Sequence, residues 1–481
     1  MNSNKSFHTI IFKNTGLFGL SQIIRIGVKL ISNKVAAIFL GPMGIGIIGL
    51  LENIIGIIQS VTGLGIASSS VREIAIATEE HSEKRLIKII YQWAIITGVL
   101  GAIVLLIFSK YITFEVFESY DYTNWILLLS LYFIFSSIAS IRLAVLQAKK
   151  QVITIVKYHI FCAITSAILA VTLYYYYGKS GIIPFFIGSV FIQFLFSYFL
   201  SRNIEITTSK IPFKDVLNEG MPMVKLGIVM SIGAIIGQIC FYIIRWYLKE
   251  EQSIEILGVY QVSNTILVGY LGLVFSAMSN DFYPRLCNYD NDLKKFNDLV
   301  NDQTEIALLV VVPGVLLLYL IAPFLINLLY TKDFISVLEI FIFGLFAIIL
   351  KAVVWPIGFI PLVKGNKWLY FKQNLLGDFV NVLASVFLFN EFGLKGIGIA
   401  MFLMFLISGI YNYYVAAKYY NFKFRRDTLE IIFFSLILGT IVSTFGMYVG
   451  FSLTNPIIII LLLVSIVYSI FQLNKRLKFF K

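Results

Sequence analysis

Apolar residues run along this chain in blocks of about twenty, and polar residues gather in short clusters between the blocks. A helix that crosses a bilayer needs about 20 mostly apolar residues. Fourteen stretches meet that length, at about 10–33, 43–67, 87–108, 124–146, 152–176, 181–201, 221–248, 257–279, 306–330, 336–361, 369–390, 397–417, 429–450 and 456–473. Links such as Leu40-Gly41-Pro42 and Thr454-Asn455-Pro456 read as tight turns. No loop exceeds about 25 residues, which leaves no room for an appended soluble domain. The first stretch is too long and polar for a cleavable signal peptide, has no A-x-A-like site after it, and is expected to stay as a signal anchor.

Composition sharpens the picture. Of the 481 residues, 59% are hydrophobic and only 13% charged, with a mean hydropathy of +0.87. A soluble domain carries about 25% charge, so these values exclude a soluble enzyme core, a disordered chain, a coiled coil and collagen. The net charge of +12 does not indicate nucleic acid, because a binder gathers its basic residues on one accessible face. Here they recur between apolar blocks. Three scattered cysteines (Cys162, Cys240, Cys287) and three distant histidines (His8, His81, His159) form no disulfide framework or metal spacing.

The basic residues set an orientation through the positive-inside rule. With the N-terminus in the cytoplasm, 26 of the 38 Lys and Arg fall in cytoplasmic segments, 5 outside (Lys110, Lys179, Lys249, Lys332, Lys395) and 7 within spans. A misplaced span would invert every later loop and destroy that contrast. Both termini are therefore expected in the cytoplasm.

The chain also repeats itself, as many transporters do. Gly46-Ile47 through Val71-Arg72 resembles Gly258-Val259 through Pro284-Arg285, about 212 residues later. Leu146-Gln147-Ala148-Lys149 recurs at Leu362-Val363-Lys364-Gly365, about 216 later, and Gly178-Lys179-Ser180-Gly181 at Gly393-Leu394-Lys395-Gly396, about 215 later. A unit of six helices, an even number, keeps both copies in one orientation and predicts two lobes with a cavity between them. The expected division is an N-terminal lobe at 1–215, a C-terminal lobe at 216–427, and helices 13 and 14 with a basic tail at 428–481.

The seven cations inside spans are Arg25, Lys29, Lys34, Arg142, Lys225, Arg245 and Lys351. Each costs about 2.5–3.5 kcal/mol at the bilayer centre unless it snorkels, pairs or lines a wet cavity. Gln22, Arg25 and Lys29 share one face of the first helix at i, i+3, i+7. Glu52 and Gln59 lie seven apart in the second, and Asn374, Asp378, Asn381 and Ser385 share a face of the eleventh. Ser231, Gln238 and Arg245 repeat at seven in the seventh, and Gln261 and Asn264 share a face of the eighth. Lys351 sits mid-span in the tenth, ahead of Trp355 and Pro356. Such stripes also arise as glue between helices, and Lys34, Arg142, Lys225 and Arg245 lie near enough to helix ends to snorkel. Arg25, Lys29 and Lys351 have no such escape and are expected to line a transport cavity, with Glu52 and Asp378 as counter-ions or ion-coupling carboxylates. A cationic cavity suits an anionic substrate such as a diphosphate.

Enzyme motifs are missing. Gly178-Lys179-Ser180 has Leu173 where a phosphate-binding loop needs glycine, and it lies in an expected external turn without ATP. Asp290-Asn291-Asp292 lacks the remaining ligands of a calcium loop. No nucleophile elbow or zinc-protease signature appears.

Ser21-Gln22-Ile23-Ile24-Arg25-Ile26-Gly27 with Leu40-Gly41-Pro42-Met43-Gly44-Ile45-Gly46, Gly258-Val259-Tyr260-Gln261 through Tyr283-Pro284-Arg285-Leu286, and Lys351 together resemble Wzx-type flippases. These belong to the multidrug/oligosaccharidyl-lipid/polysaccharide exporter superfamily, with lipid II flippases of the MurJ type as relatives. The resemblance covers essentially the whole chain. It implies a multi-pass protein of the bacterial inner membrane that moves undecaprenyl-diphosphate-linked oligosaccharide repeat units to the periplasmic leaflet, for O-antigen or another surface polymer. The headgroup would enter the cavity between lobes while the polyprenyl tail stays in lipid, in a groove that helices 13 and 14 help to form. Arg25 would face the diphosphate first, then Lys29 and Lys351, with Gln22 and Arg245 as further contacts. A polysaccharide polymerase and a chain-length regulator would be its partners. No organic cofactor is implied, and an ion gradient, H+ or Na+, acting through Glu52 or Asp378 would reset the carrier. The rivals are a multidrug or cation exporter of the same fold, which calls for carboxylates in an apolar cavity, and a membrane polysaccharide polymerase, which calls for a larger external loop than about 109–123.

Overall fold

The structure, a computed structural model, describes residues 2–76, 80–149, 151–202, 204, 211–289 and 292–477. Side chains are described from Ile24 onward, apart from residues 72, 75, 76, 80, 81, 229, 230, 280, 284, 473 and 475–477. Gln22, His8, His81, Asp290-Asn291 and the loop cations Lys5, Lys13, Arg72, Lys150, Lys210 and those from Lys475 onward therefore have side chains outside the described residues.

Among the described residues every regular element is a helix: α1 (Asn2–Thr62), α2 (Ile66–Ile76), α3 (Glu80–Phe117), α4 (Thr123–Ala148), α5 (Val152–Tyr177), α6 (Ile182–Leu200), α7 (Phe213–Glu251) and α8 (Ile254–Asn264). There follow α9 (Gly272–Asn288), α10 (Leu293–Leu329), α11 (Val337–Gly358), the single turn α12 (Ile360–Val363), α13 (Lys367–Phe392), α14 (Leu394–Tyr420), α15 (Arg426–Tyr448) and α16 (Pro456–Leu477). Helices suit a bilayer because each satisfies its own backbone polar groups. Eleven stretches are long and apolar enough to cross one. Two of them, Ile24–Thr62 and Val152–Leu200, each hold a pair of spans, and Pro456–Gln472 is a shorter apolar helix, which together account for the fourteen expected spans. The protein is a multi-pass membrane protein.

The first pair divides at Gly41 (φ 63°, ψ −169°), followed by Pro42 within α1, as the Leu40-Gly41-Pro42 turn predicts. The second divides at Gly178 (φ 52°, ψ −130°), which caps α5. Gly393 caps α13 with φ 58° and ψ −138°. These two glycines are the 215-residue repeat pair, and α5 and α13 each run for 26 residues. The likeness extends further. A Cβ on Gly181 would stand 2.5 Å from the Leu173 carbonyl oxygen, and one on its repeat partner Gly396 would stand 2.0 Å from that of Leu388. Both copies therefore close the same turn by the same backbone approach. Positive φ costs a side chain about 1–2 kcal/mol, so Gly178→Ala and Gly393→Ala should each lower stability by about that amount, read as a drop in unfolding temperature in detergent.

The chain forms two compact units, residues 1–242 and 243–481. In the N-terminal unit α3 packs on α4, α4 on α6 and α1 on α5, and Ile87, Ile90, Trp93, Val145 and Val216 belong to an apolar core shared by α3, α4 and α7. The start of α7 is tied to α3. The Trp93 indole donates to the Val216 carbonyl at 3.0 Å, and Arg85 grips Glu219 with two hydrogen bonds of 2.6 and 3.0 Å, with Asp215 3.6 Å away. Between α1 and α2 the chain turns through Leu64 (φ 50°) and Gly65 (φ 60°). This turn presses on α7 so closely that a Cβ on Gly227 would stand 2.2 Å from the Leu64 carbonyl oxygen.

In the C-terminal unit α11 packs on α14 and α13 on α14, while α15 lies against α10 and α11 and α16 against α10. Phe282, Phe296, Val300, Ile357 and Phe422 form one of its apolar cores. The start of α15 is tied to α10 by Arg425, whose guanidinium binds Asp302 and Glu305 with Asp298 nearby. Glu305, fully buried, also accepts a hydrogen bond from Thr428. Asn301 completes the tie, donating to the Lys423 carbonyl at 3.1 Å and accepting from the Arg425 amide at 2.9 Å. The two units thus use the same device with opposite signs. The third-span helix carries the arginine in one and the carboxylates in the other.

Candidate functional site: two related membrane cavities

The N-terminal unit holds a half-open cavity of about 450 Å³ lined by α1, α4, α5 and α6. α1 contributes Arg25 and Gln59, α5 contributes Tyr158, His159 and Cys162, and α6 contributes Gln193. Gln59 is held in place by donating to Ser136 Oγ at 2.9 Å. Among the described residues Arg25 is the one lysine or arginine on this wall, so the cavity sets a positive charge amid hydroxyl, amide and imidazole groups.

The C-terminal unit holds a half-open cavity of about 270 Å³ lined by α11, α13 and α14. Lys351 and Trp355 stand on α11, Tyr370, Gln373, Asn374 and Asp378 on α13, and Ser408 and Asn412 on α14. Lys351 Nζ lies 4.9 Å from the centre of the Phe275 ring and 5.9 Å from that of Phe405, a cation–π cradle that offsets part of the cost of its burial. Asp378 lines the same cavity one helical turn beyond Asn374, whose amide donates to the Tyr370 carbonyl at 2.9 Å. No ion pair joins Lys351 to Asp378 among the described residues.

These two cavities are the same feature in two copies. At the repeat offset of 215, Ser136 corresponds to Lys351, Ser140 to Trp355, Tyr158 to Gln373, His159 to Asn374, Ala163 to Asp378 and Gln193 to Ser408. All twelve line their respective cavities. The duplication preserved the hollow while its chemistry diverged: the C-terminal copy gained a lysine, a carboxylate and a tryptophan where the N-terminal copy has two serines and an alanine.

The expected site residues thus fall into separate groups. Arg25 lines the first cavity, and Lys351 and Asp378 meet in the second. Lys29 is exposed on α1 and lines neither. Glu52 lies farther along α1, exposed, with its charge in range of Tyr132 and Tyr174. Arg245 on α7 donates to Gln261 Oε1 at 3.0 Å, linking the two polar stripes of the seventh and eighth spans. Arg142, read as a snorkelling residue, is instead clamped. It donates to Ser201 Oγ at 2.7 Å and lies over the rings of Tyr91 and Tyr198 at 5.1 and 4.7 Å. Sequence reasoning passed over His159, Tyr158 and Cys162 in one cavity and Gln373 and Asn412 in the other. The 215-residue offset was the signal that connects them, since it maps the face around Asp378 onto the face around His159.

Two tandem six-helix repeats, each with a polar cavity within its own bundle, followed by two more helices, define a polytopic protein of the multidrug/oligosaccharidyl-lipid/polysaccharide exporter fold. Within that class the chain belongs to the polysaccharide biosynthesis protein family, whose model matches residues 35–339. It is 24% identical over 391 residues to a protein of Borreliella burgdorferi named probable lipid II flippase MurJ, covering 73% of this chain and 74% of that one. Among solved structures it resembles lipid II flippase MurJ in an inward closed conformation, with a TM-score of 0.69 at 16% identity, covering 97% of this chain and 99% of that one. It also resembles a multidrug resistance transporter of the MATE family in an inward-facing conformation, with a TM-score of 0.64 at 12% identity, covering 82% of this chain and 97% of that one. At those identities the structural likeness bears on fold alone.

Proposed function

We propose that this protein is a flippase that moves undecaprenyl-diphosphate-linked oligosaccharide repeat units from the cytoplasmic to the periplasmic leaflet of a bacterial inner membrane, supplying O-antigen or another surface polysaccharide. The observation that carries the reading is that a cation within the apolar spans lines a cavity in each unit, Arg25 in one and Lys351 in the other. Membership of a polysaccharide biosynthesis family supports it, as does a relative named for lipid II flipping.

The physical task is to carry a diphosphate and sugars through a medium that solvates neither. A cation held on a cavity wall replaces part of the water that the diphosphate sheds, while the polyprenyl tail stays in lipid. Alternating access to the two faces of the membrane then completes the transfer, with both termini on the cytoplasmic side. Outward movement of an anion gains about 2.3 kcal/mol per charge per 100 mV of inside-negative potential. Asp378 and Glu52 are the carboxylates through which H+ or Na+ would couple to the return step. The product would pass to a polymerase and its chain-length regulator, and the protein itself carries, rather than transforms, its substrate.

Reconstitution of the purified protein into liposomes with a fluorescent undecaprenyl-diphosphate oligosaccharide tests this. Wild type should accelerate transbilayer movement. Arg25→Ala and Lys351→Ala should each slow it about thirtyfold, the equivalent of the roughly 2 kcal/mol lost when one partner of a charge pair with the bound diphosphate is removed. Arg25→Lys should retain part of the rate. Equal rates in all variants, or export of small organic cations with no lipid movement, would overturn the reading.

A further inference from the structure

We infer that the cavity of the C-terminal unit is a subsite for a single sugar ring, the one joined directly to the diphosphate, held by Gln373 and Asn412 against the rings of Trp355 and Tyr370. The inference rests on the flippase reading and gives it a specificity determinant.

The starting observation is a set of orphaned amide atoms. Gln373 is 5% exposed and Asn412 6% exposed. Neither amide atom of Gln373, nor Oδ1 of Asn412, has a hydrogen-bond partner among the described residues. All three belong to side chains that line one cavity. Buried polar atoms are nearly always paired, so three beside one hollow point to a partner that enters it.

The kind of atom left over selects the partner. Gln373 Nε2 is a donor, whereas Gln373 Oε1 and Asn412 Oδ1 are acceptors. A metal cation would use the two oxygens and leave the donor idle. A phosphate would use the donor and leave both oxygens idle. A hydroxyl group both donates and accepts, and a polyol presents several at once. Trp355, Phe359 and Tyr370 line the same space, offering aromatic rings to the C–H face of a sugar. The size fits: about 270 Å³, on the order of nine waters at about 30 Å³ each, accommodates one ring.

Comparison with the N-terminal copy shows how that room was made. Gly358 and Gly377 stand where the other cavity has Leu143 and Cys162. A Cβ at Gly358 would come 3.6 Å from Asn412 Nδ2, and one at Gly377 would come 3.1 Å from Ser408 Oγ. Any longer side chain at either position takes up room in the cavity beside Asn412 or Ser408. Lys351 shares the cavity and would meet an anionic group beside the ring, which singles out the sugar next to the diphosphate.

The test uses the full chain in liposomes and two fluorescent probes, undecaprenyl diphosphate carrying one hexosamine and bare undecaprenyl diphosphate. Gln373→Leu and Gly358→Leu should each lower the ratio of sugar-bearing to bare lipid movement on the order of tenfold, the effect of about one hydrogen bond. Unfolding temperatures close to wild type would show that both variants fold. Since Gly358→Leu fills the space and leaves both amide side chains unsubstituted, agreement between the two ties the effect to the cavity. A ratio unchanged in both, or a loss of Na+-dependent stabilisation in Gln373→Leu with sugar discrimination intact, overturns the subsite while leaving the flippase reading standing. If wild type moves neither lipid, the flippase reading fails. The subsite then still stands if a soluble methyl hexosaminide quenches tryptophan fluorescence in wild type but not in Gln373→Leu, and falls otherwise.

Discussion

Arg425→Ala should destabilise the C-terminal unit by about 3 kcal/mol, the low end of the cost of breaking a buried ion pair. The low end applies because Arg425 is 38% exposed while Glu305 is fully buried. Removing the guanidinium strips Glu305 of its counter-charge in a site where its carboxylate cannot regain water. It also loosens Asp302 and the chain entering α15. The double variant Arg425→Ala/Glu305→Gln should recover a large part of the loss, because a neutral amide in that position carries a smaller desolvation cost. Chemical unfolding in mixed micelles measures both. A loss under about 1 kcal/mol for the single variant, or no recovery in the double, would show that the ties through Asn301 hold the junction without the charge pair.

Gly227→Ala should cost a similar amount by a different route. The added methyl would stand 2.2 Å from one backbone oxygen and 2.8 Å from the Gly65 carbonyl carbon, so no side-chain rotation relieves it. Overpacking costs about 1–3 kcal/mol, and the upper end applies because the backbone of the Leu64–Gly65 turn must move. Gly233→Ala, on the same helix with open space around it, is the control. It should be neutral, or stabilising by about 0.5–1 kcal/mol. Equal unfolding temperatures for Gly227→Ala and wild type would show that α7 and the turn separate without penalty.

The spans and the repeat were legible in the sequence because a bilayer leaves a chain few choices: about twenty apolar residues per crossing, in helices. Gly178 and Gly393 were visible for a related reason, since a turn that needs positive φ keeps its glycine in both copies. The site was legible only in parts. Lys351 and Asp378 stood out singly as costly charges, but they are 27 residues apart on different helices, and helical periodicity relates only residues on one helix. Gln373 and Asn412 escaped notice because an amide in a span looks the same whether it glues two helices or faces a cavity. Loop counting put Arg425 among the inside cations, a method that records where a charge falls and ignores what it touches. Arg142 was misjudged in the same way. Depth along the helix suggested a route to the interface, whereas Tyr91, Tyr198 and Ser201 supply a partner where it stands.

The sign reversal between the two helix-entry ties bears on how a duplicated chain avoids assembling wrongly. Two homologous units made from one polypeptide offer near-identical docking sites, and a segment released from one is shaped to land on the other. Here an exchange would set Arg425 against Arg85, and Asp215 and Glu219 against Asp298, Asp302 and Glu305. Juxtaposed like charges penalise the wrong pairing. The segment leading into α7 is made before α10, pairs with the oppositely charged Arg85 already in place, and is repelled by the later carboxylates. Identity between neighbours is thereby broken by charge alone, with no change to the helices that carry it.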